Sequence, residues 1–244
     1  MKYFFSFALI ILSIGVKSQT EESVYYFDAD WHPVKSKKAI FQVFAHQVSD
    51  TCWQFDYYHV LGPMLWSIQY NDKKSFVKNG DVFYYNKRGL LDSLGSYSHD
   101  KKNGVFMKTN GGDSVKWKWK YTYQNDSLIS VEDMDKRDTT HYADSKEAEY
   151  AGGIKSWYRY LSRTMRYPDE AVQNNIQGQV KILFMLTKDG TIAYPMIAGS
   201  VERSLDQAAL SVIVNSGNWE PAFQNGHHVA SYKLQPLNFK LEMI

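Results

Sequence analysis

The 244-residue sequence predicts an α+β protein with two folded domains. Its first half repeats a pattern of short strands separated by Gly- or Asn-containing turns, which is typical of antiparallel β hairpins. Its second half has the order helix, hairpin, helix, strand, which predicts a small antiparallel sheet with helices on one face. A stretch dominated by charged residues separates the two patterns. We therefore divide the chain into residues 1–18, 19–132, 133–150 and 151–244.

Residues 1–18 predict a secretory signal peptide. Lys2 precedes an uncharged run of 14 residues, Tyr3 to Val16, whereas a helix needs about 20 to cross a bilayer. The end of this segment, Val16-Lys17-Ser18, suits the positions that signal peptidase inspects. Cleavage there would export the chain without an anchor, and retention of the segment in the inner membrane is the alternative. Sequencing the N-terminus of the mature protein distinguishes the two.

Composition argues against several classes of function. Loss of Lys2 and Lys17 with residues 1–18 lowers the count of basic residues from 28 to 26, which equals the 26 acidic residues. A formally neutral chain lacks the excess of basic residues with which nucleic-acid-binding proteins contact phosphates, so we expect no nucleic-acid partner. The single cysteine, Cys52, excludes a disulfide within the chain and lies in an apolar stretch that predicts burial rather than reactivity.

The sequence predicts no catalytic residues, no metal site and no cofactor. His227 and His228 are adjacent in a predicted strand, so their side chains point to opposite faces and cannot hold one ion together. No nucleophile elbow, phosphate-binding loop, HExxH motif or dinucleotide fingerprint occurs in the chain. We therefore expect a protein that is not an enzyme.

Two copies of a hairpin pattern occupy the middle of the first domain. Four positions recur at offsets of 23 or 24 residues, pairing Gly80 with Gly104, Phe83 with Phe106, Gly89 with Gly112 and Tyr97 with Tyr121. The skeleton of glycine, aromatic pair, Asn and Gly resembles MORN-type repeats over about 50 residues. The resemblance implies stacked β hairpins in this part of residues 19–132.

The second domain can be followed element by element. Its first helix carries one apolar stripe, formed by Ile154, Trp157, Tyr158, Leu161 and Met165. Pro168 suits the first position of a second helix, and Asp189-Gly190 suits the turn of a hairpin. Ser204 and Gln207 predict a capping box at the start of the third helix. In the last strand the apolar alternation changes parity near Gln235 and Pro236, which predicts a β-bulge there.

These residues resemble the TonB C-terminal domain family over about 90 residues of the chain, with the family's spacing. The matching positions that we expect to have structural roles are Tyr167, Pro168, Gly178, Asp189, Gly190, Trp219, Pro221 and Phe239. The glycines suit turns, whereas Trp219 and Phe239 suit the core. The motif thus identifies the fold better than it locates a binding site.

The resemblance also implies a function. Members of the family work in the periplasm, where they bind the TonB box of outer-membrane receptors and couple transport to a proton-driven motor complex in the inner membrane. Binding occurs by addition of a strand to an open sheet edge. Carried over to this chain, the docking edge is formed by Val229, Ala230, Ser231, Tyr232, Lys233 and Leu234. The implied partners are TonB-dependent receptors or other envelope proteins, the motor complex, and a second copy of this chain joined through the edge strand.

The chain departs from the family in its first half. A full energy transducer keeps an N-terminal membrane helix and a Pro-rich spacer, whereas this chain has 6 prolines and a predicted β domain in their place. The first hypothesis is a TonB-like periplasmic protein that binds outer-membrane receptor segments and takes part in energy-coupled transport across the outer membrane. The second is an unanchored periplasmic interaction module that does not transduce energy itself.

Overall fold

The computed structural model describes residues 22–134, 145–217 and 219–241. The predicted signal peptide, residues 1–18, lies outside the described residues, as does most of the predicted linker, residues 133–150. Both therefore stay predictions. Within the described ranges, no helix has the length and apolar character needed to span a bilayer.

The first half of the chain folds into one antiparallel sheet of ten strands. The strands follow one another across the sheet in chain order, except that the two-residue β7 pairs only with β6, beside β8. Such an order arises from successive hairpins, each closed by a local turn. The strands are Ser23–Phe27 (β1), Phe41–Ser49 (β2), Cys52–His59 (β3), Met64–Tyr70 (β4), Lys78–Tyr85 (β5), Leu91–Ser98 (β6), Lys101–Lys102 (β7), Gly104–Thr109 (β8), Trp117–Gln124 (β9) and Ser127–Asp133 (β10).

The two predicted hairpin copies are the β5–β6 and β8–β9 hairpins. Their registers differ, because Gly80 lies opposite Tyr97 in the first whereas Gly104 lies opposite Tyr123 in the second. The alignment of the two copies equated Tyr97 with Tyr121. Strand pairing instead makes Tyr123 the counterpart of Tyr97, a difference of two residues. The MORN-type resemblance itself stays a prediction.

In its described residues, the second half combines short sheets with three helices, so the predicted α+β class is confirmed. The central sheet has three antiparallel strands in the order β13-β12-β17, and two two-stranded ladders, β11-β14 and β15-β16, lie outside it. The strands are Glu149–Tyr150 (β11), Gly178–Leu186 (β12), Ile192–Gly199 (β13), Trp219–Glu220 (β14), Ala222–Gln224 (β15), His227–Val229 (β16) and Ser231–Phe239 (β17). The helices are Gly153–Thr164 (α1), Asp169–Gln173 (α2) and Arg203–Val214 (α3).

The main hydrophobic core lies between the three-stranded sheet and the helices. Apolar side chains of α3, including Leu205 and Ile213, pack against Ile182 and Phe184 of β12. The same buried cluster includes residues of the first sheet, namely Phe44, Tyr58 and Met64. The two halves of the chain therefore share one core, which fixes the ten-stranded sheet against the C-terminal domain.

Two local predictions are wrong. β17 pairs with β12 without any register shift, so no bulge forms at Gln235 and Pro236. As a result Tyr232 lies on the face away from the helices, whereas Phe239 lies on the helical face, where it is buried. The N-cap of α3 is Glu202, whose carboxylate accepts a hydrogen bond from the backbone N–H of Ser204, so the predicted capping box does not begin the helix.

Candidate functional site

The edge strand β17 is the candidate docking site. It pairs with β12 along nine residues, from Ser231 opposite Leu186 to Phe239 opposite Gly178. Within the described parts of the chain, no strand pairs with its other side. In an antiparallel ladder every second residue of an edge strand points its backbone N–H and C=O groups away from the sheet. β17 therefore offers a row of backbone groups to an incoming strand.

The predicted docking residues lie partly on this edge. Ser231, Tyr232, Lys233 and Leu234 form the first half of β17. Val229 instead ends β16, where it pairs with Ala222, and Ala230 lies between the two strands. The structure thus brings four of the six residues together on β17 and places the other two outside it.

Pro236 shows which backbone groups point outward. It lies within an unbroken ladder, and a proline fits there only if its nitrogen, which carries no hydrogen, faces the free edge. Backbone N–H groups alternate between the two sides of a strand, so the N–H of Leu241, five residues after Pro236, should point towards β12. It does so, because it donates to the Gln177 side chain, which lies on the β12 side, at 2.9 Å. By the same alternation the N–H groups of Tyr232 and Leu234 point outward. The proline-free docking run is therefore Ser231 to Gln235.

The opposite edge of the sheet, formed by β13, is obstructed. Leu90, in the β5–β6 turn, forms a bridge with Gly199, and the backbone N–H of Ser200 donates to the carbonyl of Gly89 at 2.8 Å. The Tyr85 hydroxyl donates to the carbonyl of Ile197 at 2.9 Å. Pro195, in the middle of β13, lacks a donor of its own. Of the two edges, only β17 is open along its length in the described chain.

A buried carboxylate lies where the first sheet meets the C-terminal domain. Asp206 is fully buried, and it accepts hydrogen bonds from the Ser200 hydroxyl at 2.5 Å, the Val201 backbone N–H at 3.0 Å and the Tyr58 hydroxyl at 3.2 Å. Ser200 in turn accepts from the backbone N–H of Met64 at 2.8 Å. Burial raises the pKa of Asp206 to about 7, although the three hydrogen-bond donors lower this pKa. This network joins β3 and β4 to the start of α3.

Helix α1 packs on the helical face of the sheet. Near its start, Trp157 packs on Trp219, with 5.3 Å between ring centroids, and Lys233 Nζ lies 5.7 Å from the Trp219 ring. Near its end, Leu161 and Met165 line a shallow open cleft. The cleft is completed by Ser162, Tyr167, Asn238, Phe239 and Lys240. The C-terminal end of α1 therefore borders the end of β17 through this cleft.

The sequence analysis predicted one apolar stripe on α1 and did not identify the outer surface of this helix as a candidate site. The structure buries Trp157 but leaves Ile154 and Tyr158 exposed by 62% and 64%. The signal that could have found it is charge. No acidic residue occurs from Gly153 to Thr164, whereas basic residues recur every fourth position.

The structure shows the surroundings of the predicted motif residues. Gly190 has a φ of 81°, and a Cβ there would lie 1.9 Å from the carbonyl oxygen of Trp219, so only glycine fits. The Trp219 ring is buried, and its Nε1 donates to the Ser216 hydroxyl at 3.0 Å. Tyr167 packs edge-on against Phe239 and donates its hydroxyl hydrogen to the carbonyl of Ile176 at 2.6 Å.

The remaining motif positions shape turns and contacts. Pro168 is the N-cap of α2, and Pro221 separates β14 from β15. Asp189, in the β12–β13 turn, is hydrogen-bonded by the Thr187 hydroxyl, which lowers the pKa of the Asp189 carboxyl. Gly178 lies against Val201, where a Cβ would come within 2.8 Å of a methyl group. None of these side chains contacts the open edge of β17 through an interaction that the structure records.

The groups that could suggest catalysis or metal binding have simpler explanations. Among the described residues, only Asp28, Asp30 and His32 bring three ligand atoms within 4.8 Å of one another. An Asp28 carboxylate oxygen accepts the backbone N–H groups of both other residues at 3.0 Å, so it closes a turn. Burial, with the charge of Asp81, raises the pKa of the Cys52 thiol, which therefore lacks the lowered pKa of a nucleophile.

Comparison with known proteins gives one family and one solved structure. Residues 163–241 match the family described as the Gram-negative bacterial TonB protein C-terminal. The solution structure of the TonB C-terminal domain from Helicobacter pylori aligns at 21% sequence identity and a TM-score of 0.30, covering 39% of this chain and 91% of that one. None of the curated proteins compared with the chain matches it.

Proposed function

We propose that residues 163–241, which match the TonB C-terminal family, form a domain that captures an extended segment of an outer-membrane receptor, or of another envelope protein, by strand addition to β17. The observation that carries the proposal is the open edge of β17 beside an obstructed β13. A captured segment would become the fourth strand of the sheet. Its backbone would supply most of the affinity, because the exposed groups of β17 are backbone groups.

The length of the free edge limits the affinity. The proline-free run from Ser231 to Gln235 allows roughly one hydrogen bond per residue with a partner strand. Each such bond contributes about 1 kcal/mol net, and ordering a flexible peptide opposes binding by several kcal/mol. Side-chain contacts must therefore add to the backbone bonds, and Tyr232 and Leu234 offer them on the face away from the helices. We expect a dissociation constant on the order of micromolar or weaker.

The proposed role is binding rather than catalysis. Strand capture requires no proton transfer and no cofactor, and its chemistry is the formation of backbone hydrogen bonds. In a TonB-like protein this binding links a receptor to a source of force in the inner membrane. We propose the same link here, with the force supplied by a separate motor complex, and the first sheet holding the C-terminal domain in its binding conformation.

Nuclear magnetic resonance titration tests the proposal. Nitrogen-labelled protein is titrated with peptides from the periplasmic N-termini of TonB-dependent receptors. We expect the amide signals that shift to cluster from Ser231 to Gln235 and on the adjoining β12, while those of β13 stay in place. A peptide with proline at every second position lacks half of its donors and should not bind. Binding that shifts β13 and leaves β17 unchanged would show that the proposed edge is wrong.

A further inference from the structure

A cleft in the first sheet is lined by polar and aromatic side chains that the proposed function does not use. It lies where the end of β8 and the loop after it meet the starts of β6 and β9. All of its lining residues belong to the first sheet, so the cleft is separate from the open edge of β17. The lining side chains that could contact a ligand are Asp92, Lys108, Asn110, Lys118, Trp119 and Tyr121.

A β-bulge brings a basic and an aromatic side chain of β9 to this cleft. In a regular strand Lys118 and Trp119 would point to opposite faces of the sheet. In the β8–β9 ladder, Lys108 lies opposite Trp119. The next residue of β8, Thr109, lies opposite Trp117, which leaves Lys118 as an extra residue. Bulges re-aim side chains and are frequent beside functional sites, and here both Lys118 and Trp119 line the cleft.

The loop between β8 and β9 gives one wall of the cleft a defined shape. The backbone N–H of Asn110 donates to the carbonyl of Lys116 at 3.0 Å, which closes the loop. The buried Thr109 hydroxyl donates to the carbonyl of Leu91 at 2.8 Å, which ties the loop to β6. The Asn110 side-chain oxygen accepts from the backbone N–H of Gly112 at 3.2 Å. This bond fixes the Asn110 amide and leaves its NH₂ group to donate to a ligand.

The charges of the cleft fit a ligand that carries both an anionic group and hydroxyl groups. Lys108 and Lys118 are exposed, and neither forms an ion pair with a described residue. The Asp92 carboxylate accepts a hydrogen bond from the Ser93 hydroxyl at 3.2 Å and can accept more. A ligand hydroxyl could donate to Asp92, whereas the closely spaced phosphates of a nucleic acid would be repelled by it.

The aromatic part of the cleft is a platform. Trp119 and Tyr121 follow the bulge at alternate positions, so they lie on the same face of β9. Alternate side chains of a strand are about 7 Å apart, which places the two half-buried rings side by side. Such a surface suits the flat C–H face of a sugar ring, whose hydroxyl groups point sideways to polar neighbours. Because the cleft is shallow and open, it suits a unit of a polymer that crosses the surface better than an enclosed small molecule.

We propose that this cleft binds an acidic polysaccharide. A sugar ring packs on Trp119 and Tyr121, and its carboxylate pairs with the amino groups of Lys108 and Lys118. A hydroxyl group of the same or the next sugar donates to Asp92. The site gives the first sheet a binding function of its own, independent of strand capture at β17. Anionic lipids and single-stranded nucleic acids are the competing partners for basic and aromatic side chains on one surface.

Nuclear magnetic resonance titration of the whole protein measures this binding. The probes are a hexamer of galacturonic acid and its carboxyl-reduced counterpart, the neutral hexamer of galactose. At low salt the acidic hexamer should bind about tenfold tighter than the neutral one, and the preference should shrink as salt is raised. The indole N–H signal of Trp119, identified by its absence in Trp119→Phe, should shift with either hexamer.

Charge variants separate the cleft from the net charge of the protein. K108Q/K118Q changes two exposed side chains, so it should fold normally and bind both hexamers with the affinity of the parent for the neutral one. Lys35 and Lys37 are exposed in the connection between β1 and β2. K35Q/K37Q removes the same charge there and should keep the preference for the acidic hexamer.

Variants of the other lining residues test the sugar itself. Trp119→Ala should weaken both hexamers about tenfold, whereas Tyr158→Ala, at an exposed position of α1, should change neither. Asp92→Asn should weaken the neutral hexamer, because the carboxylate that accepts from a hydroxyl is lost. Absence of binding by both hexamers, or equal binding of both to the parent, would overturn the inference. A Trp119 signal that shifts with anionic vesicles or oligothymidylate, and more strongly in Asp92→Asn, would overturn it in favour of a phosphate-bearing partner.

Discussion

Asp206 is one of the residues through which the two halves of the molecule are joined by hydrogen bonds. Its carboxyl group is buried among the hydroxyls of Ser200 and Tyr58 and the backbone N–H of Val201. The sequence analysis gave Asp206 no role. It could not have done more, because Tyr58 lies 148 residues away in the chain and belongs to the other sheet.

The pKa of Asp206 predicts a pH-dependent stability. Its value of about 7 in the folded state exceeds the value of about 3.9 expected in the unfolded chain, so the folded protein holds a proton that the unfolded protein releases. Stability should therefore fall as the pH rises from about 4 to about 7, by an amount on the order of 4 kcal/mol, and level off above that range.

The substitution Asp206→Asn tests this expectation. An amide of the same shape cannot ionise, so urea unfolding midpoints of D206N should vary less between pH 5 and 8 than those of the parent. Glu147→Gln, at an exposed position, should keep the parent's dependence. An unchanged slope in D206N would mean that Asp206 is not the group responsible.

At the scale of elements, the sequence predicted most of the C-terminal domain correctly because its signals are local. The Asp189-Gly190 turn gave the β12–β13 hairpin, and the period of the apolar residues gave α1 and α3. The wrong predictions concern features that depend on contacts between residues far apart in the sequence. The parity change at Pro236 was interpreted as a bulge, although a proline whose nitrogen faces an open edge needs none. Nothing local showed that β13 would be covered by the β5–β6 turn.

The alternation of backbone N–H groups along β17 predicts that two proline substitutions will differ in their effects on stability and on peptide binding. Leu234→Pro removes an N–H that points outward, so the ladder with β12 should survive, and unfolding should resemble that of Leu234→Ala. Gln235→Pro instead removes an N–H that bonds to β12, at a cost of about 3 kcal/mol. L234P should lose peptide capture at nearly normal stability. If L234P were as unstable as Q235P, the assignment of outward groups would be incorrect.

At the scale of the whole molecule, the first sheet covers part of one edge of the C-terminal sheet. It contributes Phe44, Tyr58 and Met64 to the main core, and it occupies the C-terminal end of the β13 edge. A small domain with two open edges could pair with partners, or with its own copies, on either side. Covering one edge leaves β17 as the remaining edge of this sheet for strand addition, so under the proposed function the first sheet contributes to specificity as well as to stability.

A shared core predicts that the two halves unfold together. Met64 is 3% exposed, and its truncation to Ala should cost about 3 kcal/mol, because the cavity would lie between the first sheet and the C-terminal domain. Calorimetry of Met64→Ala should show a single transition lowered by roughly 6 to 12 °C, the shift expected for a domain of this size. Hydrogen exchange should rise in both α3 and β2, since both contribute to that core. Two separate transitions, with only the β2 amides exchanging in the first, would show instead that the halves fold independently. The edge of β13 could then open while the C-terminal domain stays folded.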